Sequence, residues 1–299
     1  MSEPYTPLTE ANNPASQAID SLSAREIVAL INAEDLRVAP AVGAVGDAIA
    51  AVAERTAAGI RRGGRLIYVG AGTSGRLGVL DAAECPPTYS TPPEQVIGLI
   101  AGGAVALTRA VEAVEDDPEH GRREIAALGV GPHDVVVGLA ASGRTPYVLG
   151  AVAEARRRGA HTAAVTCSHP SPLSDAVDTV IAPLVGPEVV AGSTRMKAGT
   201  AQKLVLNSIS TTVMVLLGKT YGNLMVEVQP LNAKLRRRTL QIVTAVTGLG
   251  EEQARAALAA ADNDLKTALV MTLAGVGADE ARKRLGAAEG HVRAALGRA

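Results

Sequence analysis

The chain has 299 residues, which allows one domain of about 200 residues with helical flanks, or two unequal domains. It is 47% hydrophobic and 20% charged, the balance of a folded globular protein rather than a disordered one. A net charge of -1 provides no counterion-release drive toward a polyanion, and without Phe or Trp there is no base-stacking platform, so nucleic acid is not an expected partner.

The same shortage of aromatics leaves Ala, Val, Leu and Ile to build the core, and abundant Ala points to closely packed helices. Two cysteines, Cys85 and Cys167, cannot make a disulfide framework. No CxxC, HExxH or His-rich spacing suggests a metal site, and no cofactor is expected. The opening MSEPYTPLTE lacks the basic and apolar regions of a signal peptide. No apolar run reaches the roughly 18 residues needed to span a bilayer. A cytoplasmic setting away from membranes is expected.

Residues 1–20 read as a polar, Pro/Asn-rich arm. Ser23 with Glu26 forms a capping-box signal that opens a helix carrying Ile27, Leu30 and Ile31. An Ala/Val-rich helix is predicted over 40–62, ending at Gly63-Gly64. Then the period changes: Arg65–Val69 is a short continuous apolar run stopped by Gly70, the pattern of a buried strand. Similar runs recur at Val96–Ala101, Asp134–Ala140, Thr162–Thr166 and Thr179–Val185, separated by stretches of helical length such as 104–128 and 145–158. This alternation predicts an α/β fold, a doubly wound five-stranded parallel sheet covered on both faces. Ligands of such sheets bind beyond the carboxyl ends of the strands, here the loops after Val69, Ala101, Leu139 and Val165. Beyond residue 194 no further strand is expected. Helices over 195–218 and 231–247, a turn at Tyr221-Gly222-Asn223 and a small bundle of short Ala/Leu helices complete the chain. The expected division is an N-terminal arm with helices (1–53), a sheet-based domain (54–218) and a C-terminal helical region (219–299).

The first strand runs into Gly70-Ala71-Gly72-Thr73-Ser74-Gly75, a G-x-G-x-x-G between a strand and a helix. A dinucleotide site would also need an acid at the end of the second strand to hold the ribose. That strand ends Ile100-Ala101-Gly102-Gly103, so the NAD reading fails. What survives is a glycine-rich turn at a helix N-terminus, with the Thr73 and Ser74 hydroxyls added, that presents donors to a phosphate. No Lys follows in Walker-A position, which argues against a nucleotide. Ala141-Ser142-Gly143-Arg144-Thr145 repeats the pattern after the third strand, and Gly192-Ser193-Thr194-Arg195-Met196-Lys197 is a third cluster. One such turn is usually only a helix cap. Three of them, with Arg144, Arg195 and Lys197 nearby, point to a phosphorylated small molecule.

In Asp81-Ala82-Ala83-Glu84-Cys85-Pro86-Pro87 the prolines are expected to stop the helix and leave Glu84 near its C-terminus. There the helix dipole disfavours a negative charge, which suits a general acid, although an ordinary solvated glutamate fits the segment as well. Cys85 reads as packing. Glu112-Ala113-Val114-Glu115-Asp116-Asp117 is either a solvated helix end or a crowd of carboxylates that supplies a base.

Together, Gly72-Thr73-Ser74-Gly75-Arg76-Leu77-Gly78, Asp81–Pro87, Glu115-Asp116-Asp117, Ala141–Tyr147 and Gly192–Thr200 closely resemble the N-acetylmuramic acid 6-phosphate etherases, bacterial enzymes with a sugar isomerase (SIS) domain. The likeness runs from about Thr9 to the end of the chain. One departure is Asn12, where an Arg before Asn13-Pro14 is the family pattern. The resemblance implies a lyase that cleaves the lactyl ether of N-acetylmuramate 6-phosphate, with Glu84 the proton donor and Glu115 the second catalytic residue, assigned as the C2 base. Candidates for holding the sugar phosphate are Thr73, Ser74, Gly75, Ser142, Arg144, Ser193 and Thr194, with Glu188 a weaker polar candidate. SIS domains usually pair, so a homodimer is expected, with the helices at 195–218 and 231–247 as its apolar interface. An aldose–ketose sugar-phosphate isomerase would use the same fold, phosphate cradle and C2 base without the acid at the ether oxygen. A non-catalytic sugar-phosphate sensor is the alternative from another class, and a DNA-binding regulator lacks a basic helix-turn-helix.

Overall fold

Five apolar runs become five parallel strands: β1 (Leu66–Gly70), β2 (Val96–Ile100), β3 (Val135–Leu139), β4 (His161–Val165) and β5 (Thr179–Ile181). Their order is β2-β1-β3-β4-β5. Leu66 of β1 pairs with Val96 on one side and Val135 on the other. Every residue of β1 and β3 is buried, which is why these runs show no polar alternation. The strand order reverses at β1, and this places the switch point at the carboxyl ends of β1 and β3. Strand β5 is shorter than the apolar run 179–185, because Pro183 cannot donate to a ladder.

The computed structural model describes residues 7–111, 113–227 and 233–297. The chain divides into two units, Met1–Ala83 with Pro93–Ser210, and Glu84–Pro92 with Thr211–Ala299.

In the first unit the expected capping box forms at α1 (Ala24–Asp35): the Glu26 carboxylate accepts the Ser23 N–H at 2.8 Å, and Ser23 Oγ accepts the Glu26 N–H at 3.4 Å. The helix expected over 40–62 is two, α2 (Val38–Gly43) and α3 (Gly46–Ile60), with a glycine on each side of the break. Residues 1–6 of the expected arm lie outside the described residues, and from residue 7 on the N-terminal segment is not a loose arm. It makes three 3₁₀ turns, buries Thr9, Asn13 and Ser16, and is tied down where Asn13 Nδ2 donates to Glu34 Oε2 (2.9 Å) and to the Pro187 carbonyl (3.2 Å).

Helix α4 (Gly72–Tyr89) contains Pro86 and Pro87, so the prolines do not stop it. Pro86 and Pro87 have no N–H to give the Ala82 and Ala83 carbonyls, yet a helical bond closes after them, Ser90 N–H to the Pro86 carbonyl at 2.9 Å. The stretch 104–128 is not one helix either. Gly102 and Gly103 both take positive φ (+85° and +61°), which the interior of an α-helix does not accommodate, and 3₁₀ turns at Gly103–Leu107 and Val114–Asp116 precede α5 (Pro118–Ala127). Helices α6 (Pro146–Arg157), α7 (Pro172–Asp175) and α8 (Lys197–Leu216) follow.

The core of this unit is aliphatic, with Ile67, Val69, Val136, Val148 and Val152 among its members. Its two largest side chains, Tyr68 and Tyr147, are fully buried, and each hydroxyl has a carboxylate acceptor, Asp81 (2.9 Å) and Glu124.

The second unit contains a short antiparallel hairpin, β6 (Thr220–Tyr221) with β7 (Leu224–Met225), where no strand was expected; its turn is the Tyr221-Gly222-Asn223 segment. Helices α9 (Ala233–Thr247), α10 (Glu251–Ala260), α11 (Leu265–Ala274), α12 (Ala278–Ala287) and α13 (Val292–Ala295) bury Leu240, Val243, Leu258, Leu269 and Leu285 in a separate core. A cleft of about 920 Å³ is lined by residues of α9 and α10, including Arg236, Gln241 and Arg255. Among the described residues no single helix is long and apolar enough to cross a membrane.

Candidate active site

The three hydroxyl-rich helix starts differ in how their backbone donors are used. At α4 the Ala71 carbonyl accepts the Gly75 N–H (3.1 Å), which leaves the amides of Gly72, Thr73 and Ser74 as the first-turn donors that a helix cannot satisfy itself. Gly75 contributes close packing rather than a donor: a Cβ there would lie 2.7 Å from the Gly70 carbonyl oxygen and 2.7 Å from Ile100 Cγ1. The glycine pattern therefore brings the start of α4 onto the ends of β1 and β2.

At α6 the first residue is Pro146, which has no N–H to offer. Ser142 sits in a turn closed by Gly143 N–H to the Ala140 carbonyl (2.9 Å), with Gly143 at φ +69°. Arg144 is exposed, while Thr73, Ser142, Ser193 and Thr194 are half-buried.

At α8 the start is already filled. The Glu188 carboxylate accepts the amides of Lys197 (3.1 Å) and Ala198 (2.9 Å) and is 1% exposed. Burial pushes this carboxyl above its ordinary value, with the two N–H groups and the Lys197 charge offsetting part of the effect. Glu188 is thus a helix cap, and its polar contacts are accounted for without a ligand. Lys197 is not an exposed phosphate ligand as the sequence suggested. It is buried and paired with Glu34, which also receives Asn13.

The loops nevertheless converge. A Cβ on Gly199 would be 3.5 Å from Thr73 Cγ2, so α8 carries a glycine where α4 begins. Cys167 joins the other two, its N–H on the Ala141 carbonyl (2.9 Å) and its Sγ 3.9 Å from the Ala198 carbonyl. Burial pushes that thiol up to about 12, which keeps it an uncharged packing group. Ser74 is nine-tenths buried, and its hydroxyl donates to Gln202 Oε1 at 2.8 Å. Gln202 carried no sequence signal beyond its place five residues after Lys197.

The acidic run resolves into separate tasks. Asp117 caps α5 by accepting the amides of Glu119 (2.9 Å) and His120 (3.2 Å). Glu115 is exposed on the 3₁₀ turn whose Val114 packs against Gly102, at the carboxyl edge of the sheet. Glu112 lies outside the described residues. Arg76, which sequence reasoning passed over, donates to the carbonyls of Ala106 (2.9 Å), Leu107 (3.3 Å) and Arg109 (3.2 Å) and so ties the loop before Glu115 to α4.

Glu84 is exposed on α4, more than a turn inside the helix, so the argument from a helix C-terminus does not apply to it. In the same motif Asp81 is buried and accepts Tyr68 Oη (2.9 Å), Asn207 Nδ2 (2.6 Å) and Ser210 Oγ (3.1 Å), holding α4 against β1 and α8. Cys85 is buried, in keeping with packing. No group of three or more His, Cys, Asp or Glu among the described residues is arranged to hold a metal ion.

Two domain families match the chain: the glucokinase regulatory protein N-terminal SIS domain over residues 47–156 and the SIS domain over residues 107–211. Among solved structures, phosphoheptose isomerases from Neisseria gonorrhoeae (TM-score 0.51, 20% identity, 64% of this chain and 98% of that one) and Francisella tularensis (TM-score 0.50, 19% identity, 65% and 99%) share the fold. N-acetylmuramic acid 6-phosphate etherase from Cutibacterium acnes is 58% identical over 88% of this chain and 86% of its own length. The etherase of Photorhabdus laumondii is 55% identical over 88% of each. With identity this high over 88% of its length, the chain belongs to the N-acetylmuramic acid 6-phosphate etherase family.

Proposed function

We propose that this carbon–oxygen lyase cleaves the D-lactyl ether of N-acetylmuramate 6-phosphate, giving D-lactate and N-acetylglucosamine 6-phosphate in amino sugar recycling. The observation that supports the placement of the substrate is the start of α4, whose amides are present, unlike that of Pro146, and have no capping carboxylate among the described residues, unlike those at Lys197. The 6-phosphate takes the amides of Gly72–Ser74 and the hydroxyls of Thr73, Ser74, Ser142, Ser193 and Thr194, with Arg144 adding charge.

In the open-chain sugar the C1 aldehyde acidifies the C2 proton. The Glu115 carboxylate takes that proton, the electron pair forms the C2–C3 double bond, and the C3–oxygen bond breaks. The Glu84 carboxyl gives its proton to the departing oxygen, so lactate leaves as a neutral alcohol rather than an alkoxide. Water then adds at C3 of the unsaturated aldehyde and a proton returns to C2. Each proton transfer contributes about 10²–10⁴-fold.

We assign phosphate binding to the sheet-based region 54–218, flanked by the N-terminal segment 1–53 and the helical region 219–299. A cytoplasmic homodimer is the proposed setting; the exposed apolar side chains Val28 and Leu36 on and beside α1 support an association surface. Purified protein should release D-lactate from N-acetylmuramate 6-phosphate, and Glu84→Gln should abolish that release. Absence of lactate under conditions where the sugar phosphate binds would overturn the etherase reading. Turnover of an aldose–ketose pair that survives Glu84→Gln would favour an isomerase.

A further inference from the structure

Gln202 lies in the second turn of α8 and is 1% exposed. Its Oε1 accepts the Ser74 hydroxyl at 2.8 Å, and its Nε2 has no hydrogen-bond partner among the described residues. Buried donors are almost always paired, so an unpaired amide beside the start of α4 calls for an acceptor or a function. Ser74 has a single hydroxyl proton, and a phosphate dianion offers only acceptors. While that proton points at Gln202 Oε1, Ser74 has nothing to donate to a phosphate.

The amide of Gln202 carries both kinds of group, and a half-turn about its last side-chain bond exchanges them. We propose that Gln202 is a positioning residue for the 6-phosphate. With phosphate at α4, the amide turns, Nε2 donates to Ser74 Oγ, and the Ser74 proton swings onto a phosphate oxygen. No bond is made or broken and the proton count is unchanged; one buried hydrogen bond is traded for another and a charge-assisted one is gained. This rests on the reading of the α4 start as the phosphate site.

The test uses the full chain and the release of D-lactate. Gln202→Met keeps the side-chain length but removes both amide groups; Gln202→Glu keeps only the acceptor. The Met variant has no acceptor to hold the Ser74 proton, so that proton stays free for the phosphate and KM should remain within about threefold of the parent chain, with kcat within about twofold. The Glu variant keeps the Ser74 proton at pH 8 and should raise KM about tenfold, the worth of one hydrogen bond to a charged group, and its excess over the parent chain should shrink toward pH 6 as the carboxyl gains a proton and becomes a donor. In a Ser74→Ala background neither substitution should change KM. If Ser74→Ala raises KM but Gln202→Glu at pH 8 does not, Gln202 only packs and the proposal fails. If Thr73→Val and Ser74→Ala both leave KM unchanged, the phosphate is elsewhere and the underlying site reading fails with it. The pH response of the Glu variant remains a readout should the Met variant not fold, and a flat response overturns the proposal.

Discussion

The starts of α4 and α8 carry the same local chemistry, glycines and hydroxyls ahead of a long helix, yet the fold uses them differently. At α8 the chain supplies its own anion: Glu188 takes the Lys197 and Ala198 amides, and Lys197 turns inward to Glu34. At α4 the amides of Gly72–Ser74 have no such carboxylate among the described residues, and the glycines serve to press the helix onto the sheet. A helix N-terminus attracts negative charge wherever it occurs. What distinguishes an anion site from a structural cap is whether the chain has already placed a carboxylate there.

The comparison can be broken at several points. The largest effects should come from the catalytic carboxylates, which stand apart from both caps. Glu115→Gln and Glu84→Gln should each lower lactate release by about 10²–10⁴-fold. Both residues are exposed, so the melting temperature should hold; a stability loss of similar size would mean that they act as structure. Next, Glu188→Ala strips two buried amides of their acceptor and should cost about 2–4 kcal/mol, measured by urea unfolding, with little change in KM. A rise in KM at intact stability would move the ligand to α8. The opposite pattern belongs to α4: Thr73→Val, at a half-buried hydroxyl, should raise KM several-fold and leave unfolding unchanged.

The smallest effect is that of pH on the arm beneath α8. Burial alone would raise the Glu34 carboxyl, but hydrogen bonds from Lys197 and Asn13 and the charges of Lys197 and Arg37 outweigh it and hold it below its ordinary value of 4.5. The unfolded chain therefore takes up this proton first. The pair's contribution is intact above about pH 4.5 and is lost as the pH falls through the lower folded value. Melting temperature between pH 6 and 3 should fall less steeply in a Glu34→Gln, Lys197→Met double variant than in the parent chain.

The sheet was legible because buried parallel strands are continuous apolar runs, and the Ser23–Glu26 box because capping is local. The misread segments depend on distant partners or on backbone angles that residue type does not announce. Pro86 and Pro87 continue a helix, Gly102 and Gly103 turn left-handed and break one, and the N-terminal segment is held by Asn13 reaching Glu34 and Pro187. In the site, the residue types of three phosphate-like loops were visible. That Glu188 already caps one of them depends on a contact closed only by folding.

The central claim, elimination driven by the chain's own carboxylates, is tested most directly by turnover of N-acetylmuramate 6-phosphate in deuterium oxide with the products read by NMR. The account predicts one deuteron at C2 of N-acetylglucosamine 6-phosphate for each D-lactate released. Lactate release with the original hydrogen kept at C2 would contradict it.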